Sequence, residues 1–222
     1  MLRELPTPGK RQSGRIVARS VLCHWTGGSA RARESAMKPR SSVPVVFTVG
    51  HSTRPMVDFL ALLEAHGVRL LVDVRTVPRS RHNPQFNQDA LCTALKGVRI
   101  AYRHMKGLGG LRHPQKDSPN GAWRNASFRG FADYMQTAEF AENLERLMEL
   151  ARKRPTAIMC AEAVPWRCHR SLIGDALLLH GLRVEELSSL STTRPHRRTP
   201  WARVRRGRIT YPAEKACSTR TE

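Results

Sequence analysis

The sequence lacks the long apolar runs and the cysteine pattern that mark membrane and secreted proteins. No stretch approaches the roughly 18 consecutive apolar residues that span a bilayer, and the apolar segment at residues 16–22 is interrupted by Arg19. The five cysteines form an odd set without the spacing of a disulfide scaffold. We therefore expect reduced thiols, no membrane partner and a cytoplasmic location.

The common nucleotide-binding loops are also absent. No G-x-G-x-x-G follows a predicted strand, and there is no Walker A sequence. Both loops depend on glycines that let the backbone approach a phosphate closely, so dinucleotide and NTP sites of these types are not supported. The sequence therefore leaves the cofactor unknown.

Acidic residues are scarce, with 18 Asp and Glu against 38 Lys and Arg and a formal net charge of +20. Residues 1–42 and 194–222 each hold nine basic residues against two acidic ones. A basic stripe on a folded face would indicate nucleic-acid contact, whereas arginine-rich ends can equally reflect codon bias. Nucleic acid is therefore a possible partner and not the favoured one.

The composition divides the chain into three parts. Residues 1–42 are rich in Arg, Ser, Gly and Pro without hydrophobic periodicity, so we predict a disordered basic extension. Two alternatives are a true start of translation at Met37 and, less favoured, a transit peptide. Residues 43–212 are predicted to form a single domain, followed by a tail at 213–222.

Apolar runs alternate with helical periods from residue 43 onwards. This alternation predicts an α/β fold in three layers, with a mainly parallel sheet and helices on both faces. The predicted strands occupy residues 45–49, 70–74, 99–103, 156–160 and 183–187; one helix follows Pro55, and others occupy 89–95, 131–154 and 168–180, with a long loop at 106–130.

Polar clusters follow four of these strands. Ligands of open parallel sheets bind beyond the carboxyl ends of the strands, so these clusters should converge at one edge. They are Gly50-His51-Ser52, the pair Asp73 and Arg75, the glycines Gly109 and Gly110, and Cys160-Ala161-Glu162.

The segment from Cys160 to Arg170 is the strongest candidate for chemistry. We predict that Cys168 opens a helix, where the macrodipole and the neighbouring His169 and Arg170 would favour its thiolate. Simple packing of the cysteines is the commoner alternative. The C-x7-C-H spacing matches no zinc knuckle, so no metal ligand is assigned, and six residues separate Cys160 from Arg167 where a phosphatase loop has five.

The remaining polar candidates each have a structural alternative. His51 is either an acid/base group or a partner of its own turn, and Asp73 in a buried strand needs a cation, with Arg75 or Arg170 as its natural partner. Arg75, Arg79, Arg81 and Arg170 could hold an anion, although solvated surface arginine is the preferred interpretation of Arg79 and Arg81. The segment around Trp123 interleaves aromatics with arginine, as base-stacking surfaces do, but core anchoring is favoured.

Several motifs together resemble the prokaryotic family called domain of unknown function 488 (DUF488). The resemblance covers about residues 45–212 and implies a three-layer α/β fold, a hairpin turning at Gly207 and no established activity. The motifs are Val49-Gly50-His51-Ser52-Thr53, Leu71-Val72-Asp73-Val74-Arg75, Pro78-Arg79-Ser80, Asn83-Pro84-Gln85-Phe86-Asn87, Leu108-Gly109-Gly110, residues 128–135, Cys160-Ala161-Glu162, Trp166-Arg167-Cys168-His169-Arg170, His196, Thr199-Pro200, and residues 202–204 and 209–212.

These patterns lead us to predict a small enzyme acting on an anionic ligand, which could be nucleotide-derived. A nucleic-acid-binding or ligand-sensing regulatory domain without catalysis is the alternative, and the sequence does not indicate an oligomeric state. The candidate catalytic residues are Cys160, Glu162, Cys168 and His169, and the candidate ligand-binding residues are His51, Ser52, Asp73, Arg75, Gly109, Gly110 and Arg170.

Overall fold

A computed structural model describes residues 43–213 of the chain. The predicted extension at 1–42 and all but the first residue of the predicted tail lie outside these residues. The strands are β1 (Val45–Gly50), β2 (Leu70–Asp73), β3 (Ala101–His104), β4 (Thr156–Cys160), β5 (Arg183–Leu187), β6 (Thr193–Pro195), β7 (Arg203–Arg205) and β8 (Arg208–Thr210). The α-helices are α1 (Met56–Ala65), α2 (Gln88–Gly97), α3 (Ala126–Tyr134), α4 (Ala138–Lys153) and α5 (Arg170–Leu179).

Six strands form one sheet in the order β3-β2-β4-β1-β5-β6. The first five are parallel, and only β6 pairs antiparallel, with β5. β7 and β8 form a separate hairpin that turns at Gly207, whose φ of +73° lies in the left-handed region that glycine adopts readily. The predicted mainly parallel sheet and the C-terminal hairpin are confirmed.

Helices cover both faces of the sheet, because its buried strands alternate their side chains between two cores. Leu71 of β2 and Met159 of β4 pack with apolar residues of α1 and α2 on one face. Val72 and Ile158, one residue away in each strand, pack with α3, α4 and α5 on the other. This period of two is the pleat of a β-strand, and it produces the predicted three layers.

The strand order creates a crevice between β1 and β4. These strands are neighbours, yet the chain leaves β1 for α1 on one face of the sheet and leaves β4 for α5 on the other. The loops after the two strands therefore diverge above the sheet. Such a switch point is where open α/β sheets bind ligands.

Three predicted elements before β4 differ from the structure. The helix predicted at 131–154 is two helices, because the hydroxyl of Thr137 accepts a hydrogen bond from the N–H of Phe140 and so begins α4 anew. The strand predicted from Arg99 begins at Ala101, since the φ of Arg99 is +57° and belongs to a turn. The loop predicted at 106–130 ends earlier, where α3 begins at Ala126.

The segment after β6 is held to α5 by a buried carboxylate. Asp175, which is fully buried, accepts hydrogen bonds from His196 Nε2 at 2.9 Å, from the N–H of Thr199 at 3.0 Å and from the hydroxyl of Tyr211 at 2.9 Å. These bonds account for the burial of a charged group in an apolar region. Along residues 43–213, no helix is both long and apolar enough to cross a membrane.

Candidate functional site

At the carboxyl edge of the sheet the crevice opens into a cavity of about 580 Å³. We call this cavity the cleft. All four candidate catalytic residues line it, as do four of the candidate ligand-binding residues, His51, Ser52, Arg75 and Gly110. The other three, Asp73, Gly109 and Arg170, do not line the cleft. The structure therefore brings the four sequence clusters to the same edge of the sheet, and three of the candidate residues lie outside the cleft lining.

Close backbone contact joins the two sides of the crevice. The N–H of Ser52 donates to the carbonyl of Ala161 at 2.9 Å, which continues the pairing of β1 and β4 beyond the strands. A Cβ atom on Gly50 would lie 2.0 Å from the carbonyl oxygen of Glu162. Glycine at this position is what lets the loop after β4 cross the end of β1.

Three side chains on one wall of the cleft form what we call the thiol centre: Cys160, Cys168 and His169. His169 Nε2 lies 3.1 Å from the carbonyl oxygen of Val74, which can only accept a hydrogen bond, so the neutral ring carries its proton on Nε2. Nδ1 is then an acceptor, and it lies 4.0 Å from the sulfur of Cys160 and 3.8 Å from that of Cys168. This nitrogen can therefore take a proton from either thiol, and once protonated it can donate to a thiolate.

The two cysteines differ in their proton affinity. The neighbouring Cys168 sulfur raises the pKa of Cys160, and burial raises it further. The neighbouring Cys160 thiol lowers the pKa of Cys168 against the opposing effect of burial, with His169 and Arg170 lowering it further. The negative charge of the pair therefore rests on Cys168.

Arg170 is a buried cation beside the charged sulfur of Cys168. Its side chain is 1% exposed, and its Nε donates to the sulfur of Cys168 at 3.4 Å. The other nitrogens donate to Thr48 Oγ1 at 2.9 Å and to the carbonyl of Glu162 at 2.6 Å. Within residues 43–213 no carboxylate forms an ion pair with it. A buried cation needs a negative partner, and the sulfur is the only one of these acceptors that can ionise.

Asp73 and Arg75 form the buried ion pair that the sequence suggested. Both are at most 5% exposed, and Arg75 Nε and Nη2 donate to the two carboxylate oxygens at 2.9 and 2.6 Å. Tyr102 adds a donor to Asp73 at 2.9 Å, and burial together with this carboxylate raises the pKa of Tyr102. The charge of Arg75 is therefore compensated inside the protein.

His51 forms a hydrogen bond within its own turn, which is one of the two roles that the sequence suggested for it. Its Nδ1 donates to the carbonyl of Ser52 at 2.8 Å, so Nε2 faces Nη1 of Arg75, 3.4 Å away, as an acceptor. The ring stacks on Phe86 at 4.2 Å. Burial lowers the pKa of His51, which keeps the ring neutral near pH 7.

The lowered pKa of His51 predicts a pH dependence of stability. Below its ordinary pKa of 6.5, the unfolded chain binds a proton that the folded chain resists, so the free energy of unfolding should fall as the pH drops below that value. In His51→Asn, whose amide can still donate to Ser52, this part of the slope should vanish. Urea unfolding between pH 7 and pH 5 measures both slopes, and equal slopes would contradict the prediction.

Two glycines allow close packing beside the thiol centre. A Cβ on Gly110 would lie 2.5 Å from His169 Nδ1, and one on Gly109 would lie 2.5 Å from the hydroxyl of Thr76. Neither glycine has a positive φ, so close approach and not backbone conformation requires them. Gly110 therefore packs directly against the imidazole ring of His169.

Cys168 does not open a helix as predicted. Pro165–Arg167 forms a short 3-10 turn that is closed by the N–H of Cys168, and the backbone at Cys168 is extended. α5 begins two residues later, with His169 as its N-cap. Arg170 and the neighbouring thiol, and not a helix dipole acting directly on the residue, therefore favour the thiolate.

Exposed arginines complete the cleft. Arg79 and Arg167 are exposed and line it, whereas Arg81 is exposed and lies outside the lining. The sequence favoured a solvated surface position for Arg79 and Arg81, which both occupy, and it assigned no role to Arg167. Arg79 and Arg167 face solvent at the cleft without a carboxylate partner within residues 43–213.

Trp123 anchors its loop. It packs against Phe128 at 4.8 Å, Trp201 at 5.4 Å and Tyr211 at 5.5 Å between ring centroids. The side chain also contacts the core that α3 and α5 share. The core-anchoring interpretation is confirmed, and the ring is not part of an open stacking surface.

Sequence reasoning missed three residues that support the site. They are Thr48, which accepts from Arg170; Tyr102, which donates to Asp73; and Phe86, whose carbonyl accepts from Arg75 and whose ring carries His51. A hydroxyl in the otherwise apolar strand at 45–49 was a usable signal for Thr48. A backbone carbonyl such as that of Phe86 leaves no sequence signal.

Comparison with known proteins gives one positive result. Residues 55–177 match the model of a family described as domain of unknown function DUF488. This range contains α1 to α4 and most of α5, together with the whole thiol centre. No curated protein and no solved structure matches the chain.

Proposed function

This chain belongs to the DUF488 family, and we propose that it is a small enzyme acting on an anionic ligand in the cleft. The observation that carries the proposal is the 3.4 Å contact between the buried Arg170 Nε and the sulfur of Cys168. A cation with 1% exposure is costly to bury unless a negative charge compensates it. Its position beside a sulfur in a ligand-sized cleft is the arrangement expected of a reacting centre and not of packed cysteines.

The side chains divide into those that react and those that position. Cys168 supplies the negatively charged sulfur, and His169 and Glu162 are the proton carriers on the same wall. Arg79 and Arg167 attract the anionic ligand, because each faces the cleft with its charge uncompensated. Arg75 and Arg170 act as positioning residues, since their nitrogens already contact protein atoms.

The dimensions of the cleft indicate the size of the ligand. A volume of about 580 Å³ lies in the range of small-molecule sites. Leu111 is 72% exposed at the cleft, next to the half-buried ring of Phe128, so an apolar surface adjoins the exposed arginines. An anion with an apolar ring or chain, of about the size of a nucleotide, fits this combination.

The alternative of a nucleic-acid-binding or ligand-sensing domain is less well supported. The loop around Trp123 would have to offer the stacking surface for bases, but its ring is packed into the core. The thiols at the centre are free, and free thiols persist in reducing compartments, so we retain the cytoplasm as the proposed location.

Two alkylating reagents that differ in charge test the proposal. Iodoacetate and iodoacetamide both consume the thiolate, so the ratio of their rates at one cysteine is independent of that cysteine's pKa and reports the local potential. We expect the ratio at Cys168 to exceed that at Cys92 about fivefold, which corresponds to about 1 kcal/mol of attraction. Cys92 lies on α2 outside the lining of the cleft and serves as the internal control. Mass spectrometry of digested protein, alkylated in chelator-containing buffer, gives both rates.

Matched arginine variants complete this test. The double variant Arg79→Gln, Arg167→Gln should lower the ratio at Cys168 to that at Cys92, and Arg81→Gln should leave it unchanged. Equal ratios at Cys168 and Cys92 in the unsubstituted protein would overturn the proposal of an anion-binding reacting centre.

A further inference from the structure

The thiol centre has the composition and compactness of a metal site. The sulfurs of Cys160 and Cys168 and Nδ1 of His169 all lie within 4.8 Å of one another, and no other such His, Cys, Asp or Glu group occurs in residues 43–213. Thiolate and imidazole are the ligands that zinc prefers. Two cysteines and one histidine with an open fourth position is an arrangement found in catalytic zinc sites.

The distances are close to those that zinc requires. Zn–S bonds of about 2.3 Å and Zn–N bonds of about 2.0 Å at tetrahedral angles separate sulfur from nitrogen by roughly 3.5 Å. The observed separations from Nδ1 are 4.0 Å to Cys160 and 3.8 Å to Cys168. The same geometry puts the two sulfurs about 3.8 Å apart, so their separation, which is within 4.8 Å, would close by up to about 1 Å when the ion binds.

The histidine is already oriented as a ligand. Metal-binding histidines usually donate their second ring N–H to a carbonyl or carboxylate, which fixes the tautomer. His169 does this through Nε2 and the carbonyl of Val74, at 3.1 Å. Gly110 packs against the ring and helps to hold it in this orientation, since a Cβ there would lie 2.5 Å from Nδ1.

Charge balance connects this centre to an anionic ligand. Two thiolates would neutralise a divalent ion, which leaves the positive charge of the buried Arg170 uncompensated. An ion held by Cys160, Cys168 and His169 would face the cleft with a net charge of about +1 and would favour an anion or hydroxide at its fourth position. Glu162 lines the same cleft, and its carboxylate accepts a hydrogen bond from the N–H of Val164 at 3.3 Å.

We propose that Cys160, Cys168 and His169 bind one zinc ion whose fourth coordination position opens into the cleft for water or the anionic ligand. This inference rests on the proposed function, because it assigns the reacting centre the role of a metal site. In such a hydrolysis the water oxygen would bond to the electrophilic atom of the anion, the bond to the leaving group would break with its electron pair, and the proton released by the water would pass to that group, so no atom is oxidised or reduced. The substrate class that follows is an anion with a bond open to attack by water.

Metal content tests the site without a substrate. The full chain without an affinity tag, incubated with zinc and dialysed, should retain one zinc per chain by elemental analysis. Cys160→Ser, Cys168→Ser and His169→Gln should each bind zinc at least about a hundredfold more weakly, because each removes one of three ligands. Cys92→Ser is the matched control and should retain one zinc.

If one of the variants fails to fold, the spectrum of bound Co²⁺ in the unsubstituted protein tests the same three ligands. The unsubstituted protein with one Co²⁺ should show the intense visible bands of a tetrahedral ion and a thiolate-to-cobalt charge-transfer band of two-sulfur intensity. Failure to retain zinc, retention of zinc by Cys168→Ser, or a cobalt spectrum without the charge-transfer band would overturn the metal site. The charge-dependent alkylation described above is done without metal, so the proposed function can survive that failure or fail independently of it.

Discussion

Replacing Asp73 with alanine should lower the free energy of unfolding by about 3–5 kcal/mol, because it leaves the buried charge of Arg75 without its partner. Arg75 is 5% exposed, and two of its nitrogens donate to the carboxylate. The hydroxyl of Tyr102 would lose its acceptor as well. Urea unfolding followed by circular dichroism measures the loss.

Two further variants separate the destabilisation caused by an unpaired buried charge from the net contribution of the ion pair to stability. In Asp73→Ala, Arg75→Met no buried charge is left alone, so part of the lost stability should return. Glu145→Ala breaks an exposed pair with Arg152, whose side chains are 51% and 49% exposed, and should change stability by about 0.5 kcal/mol or less. A loss below about 1 kcal/mol for Asp73→Ala alone would contradict the burial argument.

The same ion pair shows what the sequence could predict. A carboxylate between Val72 and Val74 in an apolar run had to be paired, and a cation two residues away was within reach. The convergence of His51, Asp73 and Cys160 also followed from strand periodicity, since the carboxyl ends of parallel strands share an edge. These inferences held because each depended on a single strand and on a general rule of sheet geometry.

Other features depended on contacts between distant parts of the chain. The sheet order, which places β1 beside β4, was not predicted, and it is what allows Arg170 to reach Thr48. The start of α5 was predicted two residues too early because Pro165 first forms a 3-10 turn that uses the N–H of Cys168. The break at Thr137 was missed because hydrophobic periodicity continues through it, although its side chain caps a new helix.

The interpretation of the cysteines changed most. Sequence spacing matched neither a phosphatase loop nor a zinc knuckle, and this weakened any specific chemistry for Cys160 and Cys168. Spacing along the chain constrains a site only when all its ligands lie in one rigid turn. Here β4 and the turn at Pro165–Arg167 bring the two sulfurs and His169 together, so three-dimensional distance replaces sequence distance as the criterion.

The buried cation behind the thiol centre should control the reactivity of Cys168. A hydrogen bond from a charged donor contributes about 1.5–3 kcal/mol, so Arg170→Met should raise the lowered pKa of Cys168 by about one to two pH units. The rate at which uncharged iodoacetamide alkylates Cys168 of the metal-free protein should therefore reach half of its plateau at a pH higher by the same amount in Arg170→Met. Peptide mass spectrometry measures the rate, with Cys92 as the internal reference.

Arg170 also donates to Thr48 and to the carbonyl of Glu162, so its loss should destabilise the fold, and the alkylation rates must be compared in folded protein. Arg170→Lys keeps the charge but not all three hydrogen bonds, and it should raise the pKa of Cys168 less than Arg170→Met does. Arg81→Met removes an exposed arginine outside the cleft lining and should leave the pKa of Cys168 unchanged. If the pH midpoint of alkylation were the same in folded Arg170→Met as in the unsubstituted protein, the negative charge on Cys168 would have another source, and the assignment of Arg170 as its counter-ion would fail.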